Sequence, residues 1–353
     1  MADRLRNLNY LDIILWIFRT AIIVLVIWGT IATILDNPYS SDQWIDFIIF
    51  GIAQGSLYAL IALGYTLVYG VLFMINFAHG EFFMSGTLVA TVFLALPFKS
   101  SGFLDEHPLL SMFLIVTVAM SVAVSVALLT ERVAYRPLRK APRLVPLITA
   151  IGASFFWQYY FRGLFGSQVI PFPEFEVLKG TWEIFGITIL KRQAIVIVAS
   201  FIMMIGLYFF VMRTKIGKSI RAVAEDKDVA ALMGINVDRT IATTFGVGAA
   251  MAGAAGILYG IIFRQVDFFM GFVPGIKAFT AAVLGGIGSV PGAALGGLFL
   301  GVFESIGPSL FLEGVGIPGS HQLKDVIAFT MLVLVLIFRP QGIIGERLSE
   351  KKA

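Results

Sequence analysis

The side chains that could carry out chemistry in this chain are few, and their spacing excludes the common catalytic sites. The three histidines, His79, His107 and His321, lack metal-ligand spacing among themselves, and the chain contains no cysteine. The tripeptide GKS in IGKS at 216–219 is typical of the end of a phosphate-binding loop, but that loop needs a glycine where Met212 stands. The sequence therefore predicts no metal site, no cofactor and no nucleotide site, and the chain is not expected to be an enzyme.

A different kind of polar group stands in INFAHGEFFMSG, residues 75–86. Asn76, His79 and Glu81 occur there between two apolar stretches that are each long enough to cross a bilayer. Polar and ionisable groups are costly at membrane depth and usually face a partner or a pathway. These three residues are therefore the first candidates for a functional site, and the elements around them must be identified.

Composition identifies those elements as membrane-spanning helices. The chain has 353 residues, of which 58% are hydrophobic and 14% charged, with a mean hydropathy of +0.90. Apolar runs of about 17 to 25 residues recur from end to end, which favours an all-α polytopic membrane protein over a β-barrel. The first helix is expected to continue from Arg19 to Leu35. The other predicted spans are 46–70, 75–97, 109–130, 144–162, 193–212, 242–263 and 324–338.

The segment KAFTAAVLGGIGSVPGAALGGLFLGVFES, residues 277–305, is too long for one ordinary span. Because GGIGSVPG interrupts it, the sequence predicts two short half-helices that meet at a break. Such a break is tolerated only against protein or a water-filled cavity. The prediction is therefore about eight full spans plus one broken helix pair.

Charge distribution predicts the orientation in the membrane. The segments 213–240 and the tail after Phe338 are rich in basic residues, and the loop 131–143 carries Arg132, Arg136, Arg139, Lys140 and Arg143. Basic loops face the cytoplasm, whereas Asp36, Asp42 and Asp46 lie in a segment without Lys or Arg that is expected outside. With both termini cytoplasmic, 277–305 must enter and leave on the outer side.

Small residues four apart indicate close helix packing. The glycine pairs with this spacing are Gly256 and Gly260, Gly292 and Gly296, and Gly297 and Gly301. Such pairs let helices approach closely, either within one chain or at a dimer seam. The expectation is packing within the chain, with a dimer seam as the alternative.

Ionisable residues within the spans bear on whether the chain could be a transporter driven by an ion gradient, and they are few. Arg19, His79, Glu81 and Glu304 are the candidates, which argues against a carrier driven by a proton or sodium gradient. The hydrophilic segment 213–239 combines the acidic pair Glu225 and Asp226 with an apolar series, Ala230, Ala231, Leu232 and Met233, that ends at Gly234. It predicts a short amphipathic surface helix that is either a solvated connector or a docking surface for a partner.

Five blocks follow one another along the chain: INFAHGEFFMSG, ERVAYRPLRKAPRLVPLITAIGASFFWQ, RAVAEDKDVAALMGINVDR, KAFTAAVLGGIGSVPGAALGG and FRPQGIIG. Together they resemble the membrane-spanning permease subunits of branched-chain amino acid ABC importers. The resemblance implies a bacterial inner-membrane subunit that pairs with a second, similar permease, two cytoplasmic ATPases and an external solute-binding protein. Apart from the lipid bilayer, no other partner is implied, and no nucleic acid is expected.

The resemblance also divides the chain and suggests its functional residues. It implies an N-terminal extension at 1–45, a permease core at 46–345 and a tail at 346–353. The loop that would dock onto the ATPase is carried here by Glu225, Asp226, Ala230, Ala231, Gly234 and Ile235. The candidate translocation path consists of Asn76, His79, Glu81, Gly285, Gly286, Gly288 and Ser289.

Two interpretations of INFAHGE remain. Asn76, His79 and Glu81 supply hydrogen bonds to freed backbone groups or to passing zwitterions, or they only satisfy local backbone and lipid headgroups. Alternatives for the whole chain are a urea or amide importer permease and a gradient-driven transporter or channel, with a membrane-embedded enzyme as a distant third.

Overall fold

The computed structural model of the protein describes residues 10–36, 38–139, 141–142, 144–184, 186–339 and 341–344. The basic residues Arg4, Arg6, Lys140 and Arg143 and the expected tail at 346–353 lie outside the described residues. Within these ranges, nine helices are long and apolar enough to cross a membrane. The chain is therefore an all-α multi-pass membrane protein, as predicted.

Five long helices form the first half of the chain, and their starts follow local capping chemistry. They are α1 (Tyr10–Asp36), α2 (Ser41–Leu72), α3 (His79–Ser100), α4 (Pro108–Leu138) and α5 (Leu144–Phe165). Helix α2 begins at a capping box, in which the Ser40 hydroxyl accepts from the Gln43 amide at 3.3 Å and the Gln43 side chain accepts from the Ser40 amide at 2.9 Å. Helix α3 contains a π-helical turn at Thr91–Ala95, and α4 contains one at Glu131–Tyr135.

The second half contains seven helices of unequal length. They are α6 (Lys191–Arg213), α7 (Lys215–Glu225), α8 (Lys227–Leu232), α9 (Val237–Phe263), α10 (Phe272–Gly285), α11 (Val290–Val315) and α12 (Ser320–Phe338). The described residues also form four short strands: β1 (Ile170–Pro171), β2 (Thr181–Ile184), β3 (Ile187–Leu190) and β4 (Gln265–Val266). Strands β2 and β3 form an antiparallel hairpin, and β1 pairs antiparallel with β4.

The core is formed by α2 together with the helices packed around it, chiefly α9, α10 and α11. Helices α1 and α12 are almost entirely on the outside, with only 6% of each apolar window buried within the protein. Helix α1 packs through Gly29 against the backbone of Phe311, and Tyr39 beyond its end donates a 2.6 Å hydrogen bond to Glu313. Gly29 and Tyr39 thus attach the described part of the N-terminal segment to the last part of α11.

The predicted glycine seams lie within the chain. The Cα hydrogens of Gly297 and Gly301 face the backbone of Ala59 and Gly55 on α2, so a methyl group at either glycine would collide with main-chain atoms. The remaining members of the predicted pairs face other helices or side chains of the chain: Gly256 faces Phe83 and Thr87, Gly260 faces Phe172, Gly292 faces Gly285, and Gly296 faces Ala281. The expectation of packing within the chain is therefore confirmed for these glycines.

The bundle has two ends that can be told apart by their contacts. We call the end with the β2–β3 strands the hairpin end; Lys99 and Glu176 meet there, and so do β1 and β4. We call the opposite end the connector end, because it carries the segment 214–236 between α6 and α9. At the connector end Lys227 lies over the ring of Phe73, 5.7 Å from its centroid.

The broken pair is present, but its second member is longer than predicted. Helix α10 has only 14 residues, about 21 Å at 1.5 Å per residue, and it ends at Gly285. Helix α11 continues from its α-helical part, Val290–Gly307, through a π-helical turn at Pro308–Leu312 and is long enough to span a membrane. The pair enters and leaves at the hairpin end, as the topology required, and its break lies at the connector end beside the C-terminal segment 341–344.

Candidate functional site

The segment between α2 and α3 holds Asn76 in a buried position. Helix α2 stops at Phe73, which adopts a left-handed conformation with φ of 56°, and the chain then returns to begin α3 at His79. Asn76 is 1% exposed, and its Oδ1 accepts a 2.6 Å hydrogen bond from the hydroxyl of Tyr135 on α4. The start of α3 is thereby tied to the π-helical turn of α4.

His79 lies in a tight slot between α2 and α9. Its ring packs on that of Tyr65 with 4.8 Å between centroids, and its Nε2 occupies the space that a methyl group at Gly64 would need. Gly248 of α9 faces the backbone of Gly64 on the other side. In this conformation the His79 ring fills the crossing of α2 and α9, and neither ring nitrogen makes a side-chain hydrogen bond within the described residues.

Glu81 is the buried carboxylate of this region, and its partners come from α5. Its Oε1 accepts from the Ser154 hydroxyl at 2.9 Å and from Gln158 Nε2 at 2.7 Å. Trp157 of the same helix donates to the Thr130 hydroxyl of α4 at 2.8 Å. Glu81 is held by neutral donors, and its Oε2 makes no hydrogen bond within the described part of the chain.

The break between α10 and α11 is held together by hydrogen bonds in which backbone groups take part. Gly286 and Gly288 have φ of +110° and +99°, which only glycine adopts without strain, and Ser289 caps α11 by accepting from the Gly292 amide at 3.2 Å. Two amides of the C-terminal segment, those of Ile343 and Ile344, donate to the carbonyls of Leu284 and Gly285 at 2.8 and 3.0 Å. These bonds satisfy carbonyls that the end of α10 would otherwise leave without partners.

A charged cluster between α10, α11 and α12 is the feature that the sequence predictions largely missed. Lys277 Nζ lies 2.5 Å from Glu304 Oε1 and 2.6 Å from Asp325 Oδ1. The Lys277 and Glu304 side chains are 4% and 1% exposed, whereas that of Asp325 is 42% exposed. Glu304 was among the predicted ionisable residues, and the signal that could have found Lys277 is a lone lysine within the otherwise apolar KAFTAAV.

Helix α2 supplies the neutral members of the same cluster. Gln54 Nε2 donates to Glu304 Oε1 at 3.0 Å and lies 2.5 Å from the Tyr58 hydroxyl. Lys277 Nζ lies 5.8 Å from the centre of the Tyr58 ring. We call these five residues, Gln54, Tyr58, Lys277, Glu304 and Asp325, the charged cluster.

The connector between α6 and α9 forms two short helices instead of the single one expected. Asp226 separates them and caps α8, its Oδ1 accepting from the amides of Asp228 and Val229 at 2.9 and 3.0 Å. Gly234 has φ of +83° and ends the turn after α8, as the sequence suggested. The connector therefore has a defined shape that its own capping residues impose.

The apolar residues of α8 divide into an inner and an outer set. Ala230 is 3% exposed and packs inward, and Ile235 is half-buried. Leu232 and Met233 are 86% and 78% exposed, with Val229 and Ala231 also exposed beside them. Glu225 lies at the end of α7, on the surface. The free apolar surface is thus Val229, Leu232 and Met233, which we call the connector tip.

Basic residues at and just after the end of α4 are held by carboxylates of α4 and α9. Arg139 pairs with Glu131 of α4 and, at 2.5 Å, with Asp238 at the start of α9, and Arg136 also contacts Asp238. Burial lowers the pKa of Lys227 beside this group, and the charge of Arg139 adds to the effect. These ion pairs therefore fix the end of α4 and the residue after it to the start of α9, beside the two connector helices.

Comparison with known proteins gives a consistent result. The family model described as the permease component of branched-chain amino acid transport systems matches residues 47–336. BraD of Pseudomonas aeruginosa, a high-affinity branched-chain amino acid transport system permease protein, is 44% identical over 314 residues, which cover 88% of this chain and 98% of BraD. LivH of Escherichia coli K12, described in the same words, is 43% identical over 319 residues, 88% of this chain and 99% of LivH. No solved structure matches the chain.

Proposed function

This chain belongs to the family of branched-chain amino acid transport permease components, and we propose that it forms part of the membrane path of an ATP-driven importer for branched-chain amino acids. The observation that carries the proposal is the match over nearly the whole length of BraD and LivH, at 44% and 43% identity. The substrate is inferred from what those relatives are named for.

The energy enters, in this proposal, through the connector tip. The sequence has no phosphate-binding loop, so an ATP-driven change must reach the chain through a contact with another subunit. Val229, Leu232 and Met233 offer an exposed apolar surface on a capped helix that projects between α6 and α9. Such a surface suits a groove on a cytoplasmic ATPase. Of the residues first suggested, Asp226 and Gly234 shape this contact, and Ala231 lies within it.

The assembly proposed around the chain follows from the family. It contains a second homologous permease, two cytoplasmic ATPases and an external solute-binding protein in a bacterial inner membrane. The connector end faces the cytoplasm in this arrangement, because the basic residues collect there. Both chain termini then lie on the cytoplasmic side.

The path itself is proposed to run beside the start of α3 and the break. A shallow apolar concavity at the connector end is lined by residues of both regions: Tyr65, Tyr69, Ile75, Phe279, Ala282 and Ile287. Among the candidate path residues, Asn76 follows the lining residue Ile75, His79 packs on the lining residue Tyr65, and Gly286 and Gly288 flank Ile287. Movement of the break relative to α3 would widen this concavity.

The test is uptake by the reconstituted assembly. The permease, its paired permease, the ATPases and the binding protein are placed in proteoliposomes, and ATP-dependent uptake of labelled leucine is measured. We expect uptake only with ATP inside the compartment that the connector faces, and none with an ATPase variant that cannot hydrolyse ATP. Uptake driven by a proton or sodium gradient without ATP would contradict the proposal.

A further inference from the structure

We propose that the charged cluster is a binding site for the zwitterionic head group of an α-amino acid within the transport path, an inference that rests on the proposed function. The cluster lies between four helices, α2, α10, α11 and α12, and two of its charged side chains are almost completely buried. Asp325 is the member that reaches the surface, at the start of α12 near the hairpin end. A solute that arrives from that end meets Asp325 first.

The charges of the cluster do not balance. It holds two carboxylates, Glu304 and Asp325, and one ammonium group, Lys277. Glu304 Oε2 is buried and makes no hydrogen bond within the described part of the chain, and Asp325 Oδ1 is close to Lys277 without forming a well-aligned hydrogen bond. Buried acceptors without donors are costly, so the group that the cluster lacks is a second cation with several N–H donors. An α-ammonium group is such a cation.

The cluster can accept the carboxylate end of the same ligand. Lys277 Nζ is shared between Glu304 and Asp325, and Gln54 Nε2 and the Tyr58 hydroxyl are further donors on α2. The α-carboxylate of the ligand can replace Asp325 as a partner of Lys277. The α-ammonium group can then replace Lys277 as the partner of Asp325. The exchange adds no net charge to the buried site, which keeps its electrostatic cost low.

This chemistry selects against neutral solutes. Urea or a primary amide offers neither an ammonium group for the unpaired carboxylate oxygen nor a carboxylate for Lys277. Opening the Lys277 pairs for such a solute would leave buried charges without partners. The site therefore favours amino acids over urea and amides, the solutes of the alternative importer considered for this chain from its sequence.

The experiment compares a paired substitution in the cluster with a paired substitution elsewhere. Lys277→Met together with Glu304→Met removes both buried charges, and replacement of a buried ion pair by apolar residues is often well tolerated for folding. The matched control is Lys179→Met with Glu176→Met, an exposed pair 2.6 Å apart at the hairpin end. Each variant is purified with its partner subunits, and the assembled amount, ATP hydrolysis and leucine uptake are measured.

We expect the K277M/E304M variant to assemble but to lose leucine uptake roughly tenfold or more, the loss that follows from removing a charge-assisted hydrogen bond. The control variant should take up leucine at the normal rate. Normal uptake by K277M/E304M would overturn the inference and leave the cluster as a purely structural pair. That result would leave the proposed function intact, because wild-type uptake with ATP tests it separately.

A binding measurement guards against a variant that fails to assemble. The wild-type assembly without its binding protein is titrated with leucine, with 4-methylpentanoate, which lacks the ammonium group, and with isoamylamine, which lacks the carboxylate. Leucine should bind roughly tenfold or more tightly than either analogue. Equal binding of all three would show that the charges of the ligand are not recognised and would refute the site.

Discussion

Two buried glutamates of this protein are held in opposite ways. Glu81 receives hydrogen bonds from the neutral Ser154 and Gln158 of α5, whereas Glu304 is paired with the ammonium group of Lys277. The helices that carry these contacts also differ. Helix α11, which bears Glu304, is pressed against α2 through Gly297, whereas no other described part of the chain comes within 4 Å of the place that a Cβ would take at Gly152 of α5.

The two glutamates differ in the kind of partner, although Oε2 of each is buried without a hydrogen bond in the described residues. The neutral donors that hold Glu81 come from one helix and carry no charge that a ligand could replace. A lysine shared between two carboxylates can change partners, and Asp325 connects it to the surface. Burial alone therefore does not identify a transport residue, and the kind of partner matters more.

The largest effect is expected when the shared cation alone is removed. Lys277→Met leaves Glu304 buried without a counter-charge, and breaking a buried pair on one side costs about 3–5 kcal/mol of stability. The melting temperature and the membrane-inserted amount of the purified chain should fall clearly. An unchanged melting temperature would mean that Glu304 is neutral or hydrated, and the contrast with Glu81 would disappear.

The next largest effect is the difference in stability loss between Glu304→Gln and Glu81→Gln. Glu304→Gln removes a charge-assisted bond to Lys277 and should cost about 1.5–3 kcal/mol. Glu81→Gln keeps an acceptor oxygen for Ser154 and Gln158 and should change stability by less than about 1 kcal/mol. Thermal unfolding of the two variants in the same detergent is the measurement, and equal losses would show that the two carboxylates are held alike.

Glu81 and Asn76 can also be tested for a role in transport. If they belong to the path, Glu81→Ala and Asn76→Ala should lower leucine uptake more than they lower the amount of folded chain in the membrane. Because Glu81 and Asn76 each have side-chain partners, parallel losses of uptake and folded protein are the outcome that would assign them to structure only.

The packing contrast predicts a smaller effect of one methyl group. Gly297→Ala places a Cβ against the backbone of Ala59 and should destabilise the chain by about 1–3 kcal/mol through overpacking. Gly152→Ala on α5 meets open space and should be neutral or slightly stabilising, since alanine is the better helix former. If both variants melt at the same temperature, α11 is not packed as closely as described.

The smallest effect on stability is expected at the connector tip. Leu232 is 86% exposed, so Leu232→Ser should change the free energy of unfolding by less than about 0.5 kcal/mol and leave the melting temperature nearly unchanged. It should nevertheless reduce co-purification of the ATPases and uncouple ATP hydrolysis from uptake. Asp228→Ser, at an exposed position of the same helix, is the control. Normal coupling in Leu232→Ser would exclude the tip as the ATPase contact.

The hydropathy of the sequence predicts most of the membrane-spanning helices, but it does not predict the charged cluster. The predicted spans 46–70, 109–130 and 242–263 lie within helices Ser41–Leu72, Pro108–Leu138 and Val237–Phe263, because long apolar runs have few other places to go. The glycine-rich start of α11 weakened the same signal, and its length was underestimated. Lys277, Glu304 and Asp325 are far apart in sequence, and only the packing of α10, α11 and α12 brings them together.

The two glutamates show the same limit at the level of the site. INFAHGE marked Glu81 as unusual because it is a short polar motif between apolar runs. Its partners Ser154 and Gln158 could not be found in this way, since a serine and a glutamine in an aromatic-rich helix have no spacing that connects them to Glu81. Local patterns reveal costly residues, whereas their compensation is a property of the folded bundle.

The C-terminal segment has a consequence for the order in which the protein is made. The carbonyls of Leu284 and Gly285 receive their hydrogen bonds from Ile343 and Ile344, which leave the ribosome long after the break has been synthesised. Until then α10 enters the bilayer with an unfinished end, and the intervening α11 and α12 must be inserted before it can be closed. These two hydrogen bonds therefore form late in biogenesis. A nascent chain halted after α12 would lack them, and the end of α10 would remain without these partners.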